Sequence, residues 1–219
     1  MGACSINVLF TFSHSGKTRL LTRICKYANE LFQEPPKAIF YVYCSYQKIY
    51  QDLETIENLK LFHLFDHDEL RQLENHRQTL LVLDDVVDMC PTKTWLKDMY
   101  LKFSNHYSIS IISIFHNLYD QKLPFCRSVQ INSQVTILMS SLRSKDQIRT
   151  FASQCYTGNV AHFMLLYKEV CLDKKYGYLI INFHAGYDNR LRLMSGLIPP
   201  LDPDVPPTVF ELKPKNGES

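Results

Sequence analysis

The sequence predicts an α/β fold in which a mainly parallel sheet lies between two layers of helices. Short β-branched and aromatic runs alternate with segments of helical periodicity, which is typical of strand–helix–strand units. In addition, two of the apolar runs end in distinctive polar motifs, Ser15-Gly16-Lys17-Thr18 and Asp84-Asp85. Ligands collect at the carboxyl ends of parallel strands, so we expect both motifs to lie at one edge of the sheet.

The individual elements follow from local patterns. The run at 128–139 contains Asn132-Ser133 and is expected to be one long strand or two strands in a hairpin. Pro35-Pro36 should end the first helix, because proline cannot continue one, and Asn159 is a candidate N-cap. The remaining strands are expected near 6–12, 38–44, 79–85, 108–115 and 178–183. Helices are expected near 17–33, 46–56, 66–76, 92–104, 145–155 and 160–171.

Length and composition indicate one large domain. The chain has 219 residues, of which 46% are hydrophobic, and we assign residues 1–198 to the domain and the Pro-rich residues 199–219 to a C-terminal tail. No apolar run reaches the roughly 18 residues of a membrane span. The seven cysteines include no Cys-x-x-Cys pair, which is typical of free thiols in an intracellular protein and disfavours a zinc site. A net charge of +2 argues neither for nor against nucleic acid.

The first motif is typical of a phosphate-binding loop. Backbone N–H groups and the helix N-terminus would face the phosphates, Lys17 would reach the terminal phosphates, and the Thr18 hydroxyl would reach Mg²⁺. The glycine that usually lies five residues before Gly16 is replaced by Thr11. A non-glycine residue held at positive φ costs about 1–3 kcal/mol, so the loop is expected to bind nucleotide more weakly. The candidate nucleotide-binding residues are Ser13, His14, Ser15, Gly16, Lys17, Thr18 and Arg19.

The second motif would complete the site. Asp84 is the candidate ligand of the magnesium water shell, and Asp85 is the candidate base that polarises an attacking water. The alternative is that both aspartates only cap a helix. The strand at 108–115 is expected to insert between the two motif strands, as in the additional-strand class of nucleotide hydrolases. His116 and Asn117 would then lie beside the terminal phosphate, unless they are simply a solvated loop pair.

Several further segments resemble one group of viral ATPases. Tyr43–Tyr50 resembles a tyrosine/glutamine signature that follows the second strand, and Leu80–Asp85 resembles the aspartate-pair motif. Phe115–Tyr119 resembles a Gln-Asn-Leu-Phe sensor, with His116 in place of the glutamine. The other similar segments are Ser104–Ser110, Arg127 with Ile131-Asn132, Leu142-Arg143, Gln147–Arg149 and Tyr176–Ile181.

The group consists of the genome-packaging ATPases of Polinton/Maverick elements, adintoviruses and virophages. They are related to the poxvirus packaging ATPase within the FtsK–HerA superfamily of P-loop NTPases. The resemblance spans roughly residues 6–198. It implies a RecA-like additional-strand fold and a homo-oligomeric ring that hydrolyses ATP with Mg²⁺. It also implies that the ring drives double-stranded viral DNA into a preformed capsid, in the host nucleus, a cytoplasmic virus factory or the virion.

A ring of this kind needs an arginine that acts on the nucleotide of the neighbouring subunit. Arg127 matches the family arginine after the sensor, and Arg143 is the second candidate. Two other interpretations stay open at this point. One is a catalytically weakened or domesticated paralogue that serves as a nucleotide-binding, DNA-binding or capsid-assembly subunit. The other is a small-molecule kinase, which the absence of an arginine-dense lid in the sequence disfavours.

Overall fold

The computed structural model describes residues 5–9, 15–64, 78–86, 98–100, 108–119, 129, 131–186, 188, 191–197 and 206–211. The strands among these residues are β1 (Ser5–Leu9), β2 (Ala38–Tyr43), β3 (Leu59–His63), β4 (Thr79–Asp84), β5 (Ile109–Phe115), β6 (Val135–Met139), β7 (Tyr178–Asn182), β8 (Leu193–Ser195) and β9 (Thr208–Phe210). The α-helices are α1 (Lys17–Lys26), α2 (Ala28–Leu31), α3 (Lys145–Cys155) and α4 (Val160–Tyr167). A 3₁₀ helix covers Lys48–Asp52, and a π-helical segment covers Lys168–Leu172.

The strands form one sheet in the order β3-β2-β4-β5-β1-β6-β7-β8-β9. The first six strands of that order are parallel, and each of the last three is antiparallel to the strand before it. Strand β5 lies between β4 and β1, the two strands that carry the polar motifs. The predicted additional-strand arrangement is therefore confirmed.

Each face of the sheet packs against its own set of helices. In β2, Ile39 and Tyr41 point into the core that contains α1 and the 3₁₀ helix. Phe40 and Val42 point into the opposite core, which contains α3 and α4. Because both faces are covered, the central strands are largely apolar, and each fully buried large apolar side chain contributes about 1.5–3 kcal/mol. This confirms the three-layer α/β class with a mainly parallel sheet.

Two of the predicted elements differ from the structure. The helix predicted at 46–56 is wrong, because that stretch holds only the short 3₁₀ helix and is followed by β3, which the prediction missed. The predicted hairpin or long strand at 128–139 is also wrong, since only β6 is extended. Ile131 is helical and Asn132 lies in a turn. The Ser133 hydroxyl donates to the Val129 carbonyl (2.7 Å), which satisfies a backbone acceptor that a strand would have paired.

The other elements agree more closely. Strands near 38–44, 79–85, 108–115 and 178–183 are confirmed to within two residues, and the helix at 145–155 is confirmed. The first helix is interrupted at Tyr27 and ends at Leu31, before the two prolines. Asn159 occupies the predicted N-cap position of α4, although its side chain makes no capping hydrogen bond. The helix predicted at 66–76 and most of that at 92–104 lie outside the described residues.

Part of the predicted C-terminal tail joins the sheet. Strand β9 pairs antiparallel with β8 through Thr208–Phe210, and neither of these short strands was predicted. The division of the chain at residue 198 stays a prediction. No helix within the described ranges has the length and apolarity needed to cross a bilayer.

The carboxyl end of β6 is anchored by one buried tyrosine. The Tyr167 hydroxyl on α4 donates to the Met139 carbonyl (2.7 Å) and accepts from the Ser141 N–H (3.0 Å). We predict that Tyr167→Phe lowers the free energy of unfolding by about 1–3 kcal/mol, because two buried backbone groups lose their partner. Urea unfolding measures this change. Tyr119→Phe is the control, since its exposed hydroxyl donates to the Gln154 side chain (3.0 Å) rather than to a buried backbone group, and equal losses in both variants would contradict the assignment.

Candidate nucleotide-binding site

The two polar motifs meet at the carboxyl edge of the parallel strands. Helix α1 begins at Lys17, directly after Gly16, which has a left-handed backbone (φ 93°) that glycine adopts without strain. Ser15 is buried, and its hydroxyl oxygen has no hydrogen-bond partner among the described residues. Ser13 and His14 lie outside the described residues. The described end of the loop therefore offers an unsatisfied hydroxyl at a helix N-terminus, which suits a phosphate.

Lys17 is held by two side chains from neighbouring strands. Its ammonium Nζ lies 3.2 Å from Asp85 Oδ1, just beyond β4, and 3.4 Å from His116 Nδ1, just beyond β5. His116 Nε2 lies 3.1 Å from the same Asp85 oxygen. Lys17 is 7% exposed, whereas Asp85 and His116 are 37% and 45% exposed. One oxygen of the Asp85 carboxylate therefore contacts both Lys17 and His116.

The charge of Asp85 is stabilised in this arrangement. Burial by itself would raise its pKa, but the hydrogen bond with His116 and the positive charge of Lys17 outweigh burial and lower the pKa below its usual 3.8. The backbone of Asp85 is left-handed (φ 56°), a conformation that aspartate adopts more readily than most residues. This turn directly after β4 gives successive aspartates different surroundings.

Asp84 lies in a different environment from its neighbour. It is 1% exposed, and its Oδ2 accepts hydrogen bonds from the Tyr41 hydroxyl (2.6 Å) and the Tyr50 hydroxyl (2.9 Å). Burial raises the pKa of Asp84 above 3.8, and the two tyrosine hydrogen bonds counteract only part of that rise. The adjacent negative charge of Asp85 raises it further.

The second oxygen of Asp84 suits a cation. Oδ1 is buried and has no hydrogen-bond partner in the part of the chain that the structure describes. The Thr18 side chain is close enough to favour the charged form of this carboxylate. One hydroxyl and one carboxylate are ligands that Mg²⁺ prefers, with its remaining positions taken by water and phosphate oxygens. No group of three or more His, Cys, Asp or Glu side chains suited to a metal occurs among the described residues.

A cleft lies beside Gly16, on the side away from Asp85. The Tyr176 ring packs so close that a Cβ at Gly16 would lie 2.9 Å from its Cδ1, and the Arg19 guanidinium lies 5.0 Å from the ring centroid. Gly177 permits this position, because a Cβ there would lie 1.9 Å from the Val170 carbonyl oxygen. The cleft is small and open to solvent. It is lined by Gly16, Arg19, Leu20, Arg23, Met139, Tyr176 and Tyr178.

The structure brings together Ser15, Gly16, Lys17, Thr18, Asp84, Asp85 and His116. Asn117 is exposed beside His116, and Arg143 is exposed after β6, whose carboxyl end lies at the same edge of the sheet. Arg127 lies outside the described residues. Sequence reasoning gave no role to Tyr41, Tyr50 or Tyr176. Tyr50 and Tyr176 do lie in segments that the viral resemblance covers, and Tyr41 shares a face of β2 with Ile39 in the strand pattern.

Comparison with known proteins gives only distant structural similarity. No protein-family model matches the chain, and no curated protein matches it. A solved structure of Thermomonospora curvata EccC (ATPases 2 and 3), in complex with a signal sequence peptide, is 15% identical with a TM-score of 0.45. The match covers 66% of this chain and 31% of EccC.

Two further structures show similarity of the same degree. The cytoplasmic domain of EssC is 12% identical with a TM-score of 0.44, and the match covers 66% of this chain and 33% of EssC. The N-terminal domain of zonular occludens toxin from Neisseria meningitidis is 11% identical with a TM-score of 0.42, covering 96% of this chain and 95% of that one. The chain thus corresponds to about a third of EccC and of EssC. Similarity of this degree carries no argument about activity.

Ionisation of Asp84 and ionisation of Asp85 should change the free energy of unfolding in opposite directions. The pKa of Asp84 is raised on folding, so its ionisation weakens the folded state as the pH rises above about 3.8. The pKa of Asp85 is lowered, so its ionisation stabilises the folded state at neutral pH and that stability is lost as the pH falls below 3.8. We therefore predict that Asp84→Asn raises the melting temperature at pH 7, whereas Asp85→Asn lowers it.

Thermal unfolding of the nucleotide-free, metal-free protein between pH 4 and pH 8 tests this prediction. The decrease for Asp85→Asn should not exceed about 4 °C, because exposed ion pairs contribute about 0–1 kcal/mol. The difference between Asp84→Asn and the parent protein should shrink toward pH 4, whereas the difference for Asp85→Asn should largely persist there, because its loss begins only below pH 3.8. A lower melting temperature for Asp84→Asn at pH 7 would show that burial of this charge is fully compensated.

Proposed function

We propose that this protein is a Mg²⁺-dependent ATPase that acts as a homo-oligomeric ring and moves double-stranded viral DNA into a preformed capsid. The observation that supports hydrolysis most directly is that two adjacent carboxylates, those of Asp84 and Asp85, have different surroundings. Asp85 is paired with Lys17, whereas Asp84 is buried with one oxygen unsatisfied beside Thr18. Asp85 is thereby placed next to the lysine that would contact the phosphates, and one oxygen of Asp84 is available to a metal ion.

The phosphates of ATP would lie over the N-terminus of α1. Lys17 would contact the terminal phosphates, and the Ser15 hydroxyl and the backbone at Gly16 would contribute hydrogen bonds. Thr18 and Asp84 would hold Mg²⁺, which when bound neutralises charge on the phosphates. Because β7 and β5 lie on opposite sides of β1, the cleft beside Tyr176 lies away from Asp85 and would receive the base and ribose.

The ion pair between Lys17 and Asp85 would couple binding to catalysis. The Asp85 oxygen that would accept a proton from water contacts Lys17 and His116. A triphosphate carries more negative charge than one carboxylate and would attract the lysine away from Asp85. Asp85 would then be available to polarise water, and His116 or Asn117 would orient the terminal phosphate or that water.

The packaging role is supported by the resemblance of the sequence motifs to viral packaging ATPases, which spans roughly residues 6–198. Arg143 is exposed near the carboxyl edge of the sheet, where a neighbouring subunit of a ring could be reached. Arg127 remains the first candidate for the arginine that acts between subunits. Double-stranded DNA and capsid proteins are the proposed partners. The proposed location is the host nucleus, a cytoplasmic virus factory or the virion.

One observation favours a second candidate function. Residues 11–15, the loop before Gly16, contain no glycine, which is unusual for a loop that wraps phosphates closely. A chain with such a loop could serve as a non-catalytic nucleotide-binding, DNA-binding or capsid-assembly subunit. Absence of ATP turnover in the parent protein, with intact folding, would favour this alternative.

We predict that Asp85→Asn lowers kcat for ATP hydrolysis by about 10²–10⁴-fold, because the general base is lost. Nucleotide affinity should be unchanged or higher, since Lys17 no longer has to leave a carboxylate. Phosphate release with and without double-stranded DNA measures turnover, and calorimetry measures binding. The parent protein should hydrolyse ATP faster when DNA is present.

Lys17→Ala is the matched comparison for Asp85→Asn. Lys17→Ala should lose nucleotide binding together with hydrolysis, since the substitution removes the charge that would contact the terminal phosphates. If Asp85→Asn also loses binding, then the roles assigned to the two aspartates are wrong. Turnover that does not respond to DNA would argue against translocation while leaving the ATPase proposal in place.

The ring predicts complementation between inactive variants. Arg127→Ala should fold and bind nucleotide but fail to hydrolyse it, because its site in the neighbouring subunit lacks the arginine. Mixed rings of Arg127→Ala and Lys17→Ala should regain part of the activity, since some interfaces then contain both an intact Lys17 and an intact Arg127. Arg143→Ala is tested in the same mixtures. No recovery with either arginine variant would contradict a site shared between subunits.

A further inference from the structure

We propose that Tyr41 and Tyr50 are positioning residues that clamp one oxygen of Asp84, so that the other oxygen is presented to Mg²⁺. The inference rests on the proposed nucleotide site and assigns a role to two side chains that the phosphate-loop and aspartate motifs do not include. Tyr41 comes from β2, and Tyr50 comes from the 3₁₀ helix that follows it. We call these two hydroxyls and Asp84 Oδ2 the tyrosine clamp.

The geometry of the clamp is specific to one oxygen. Both hydroxyls donate to Oδ2, at 2.6 Å from Tyr41 and 2.9 Å from Tyr50, while Oδ1 remains without a hydrogen-bond partner among the described residues. A carboxylate held by two donors on one oxygen cannot rotate freely about its last bond. The position of Oδ1 is therefore fixed as well, and the Thr18 side chain, the other candidate magnesium ligand, favours the charged form of the same carboxylate.

The rings themselves are held in place by packing. Tyr41 and Tyr50 are 0% and 1% exposed, and their centroids are 5.3 Å apart in an edge-to-face arrangement. Such aromatic pairs contribute about 0.5–1.5 kcal/mol beyond the area they bury. Tyr43, which lies on β2 together with Tyr41, packs against Tyr50, with ring centroids 5.1 Å apart. The donors are thus fixed before any ligand binds.

Tyrosine suits this position better than a charged donor. A buried carboxylate without hydrogen bonds is strongly destabilising, so Asp84 needs donors. Lysine or arginine would supply them but would also cancel the negative charge that attracts the metal. Neutral hydroxyl groups satisfy Oδ2 and leave the charge available at Oδ1. Partners of this kind, behind a metal ligand, typically change metal affinity by about 10–100-fold.

The test compares three single variants of the full chain: Tyr41→Phe, Tyr50→Phe and Tyr46→Phe. Phenylalanine keeps the packed ring and removes only the hydroxyl. Tyr46 is the matched control, because its ring packs edge-on against Tyr50 while its exposed hydroxyl donates to Glu54 (2.7 Å). Each protein is loaded with a non-hydrolysable ATP analogue and titrated with Mn²⁺, a spectroscopic substitute for Mg²⁺.

We expect Mn²⁺ affinity, measured by electron paramagnetic resonance, to fall about tenfold in Tyr41→Phe and in Tyr50→Phe and to stay unchanged in Tyr46→Phe. The affinity for the metal-free analogue should be the same in the three variants and in the parent protein. A general loss of structure would lower that affinity. Unchanged Mn²⁺ affinity in both clamp variants would overturn the proposal. Equal losses of metal and metal-free analogue affinity would also overturn it, because the hydroxyls would then be purely structural.

A measurement without nucleotide separates failure of the clamp from failure of the proposed function. In the nucleotide-free protein, the two buried hydroxyl protons should give slowly exchanging NMR signals, and each phenylalanine variant should lose one of them. If these signals are absent, then the clamp does not form. If they are present but the parent protein binds no analogue, then the proposed function is overturned and the metal role of the clamp with it.

Discussion

The burial of the Asp84 carboxylate at the end of a central parallel strand is the constraint on which the site depends. Strand β4 lies between β2 and β5, so any side chain at its carboxyl end is enclosed by its neighbours. An ion in that position requires hydrogen-bond donors, and the nearest elements supply two tyrosine hydroxyls on one oxygen. The remaining oxygen is left to a ligand from outside the chain. This arrangement reduces stability, and it leaves Asp84 Oδ1 available to the Mg²⁺ that we propose to bind there.

Asp85, the residue directly after Asp84, carries a carboxylate whose surroundings differ from those of its neighbour. Asp85 follows β4 with a left-handed backbone, which places it beside Lys17 and His116. Asp84 has its pKa raised mainly by burial, whereas Asp85 has its pKa lowered because its hydrogen bond and ion pair outweigh burial. The difference between the two carboxylates arises from their position at the end of β4, and not from the Asp-Asp sequence alone.

Tertiary packing also shapes the opposite side of the phosphate loop. Tyr176 reaches Gly16 from the segment before β7, and Gly177 allows that segment to approach the Val170 carbonyl. The resulting cleft continues the site away from Asp85, across β1. A nucleotide would thus extend along the edge of the sheet from β5 toward β7, with its phosphates at the centre over α1.

The sequence was sufficient to predict the layered α/β class, the strands that carry the two motifs and the insertion of β5 between them, because hydrophobic runs and strand-end motifs are local patterns. It failed at β3 and at 128–139, where short polar-flanked segments are compatible with more than one backbone conformation. The three-dimensional fold pairs Lys17 with Asp85 and brings Tyr41 and Tyr50 together on Asp84 Oδ2. These contacts join residues 34 to 68 positions apart. Their geometry depends on sheet order and on packing against α1, which no local pattern specifies.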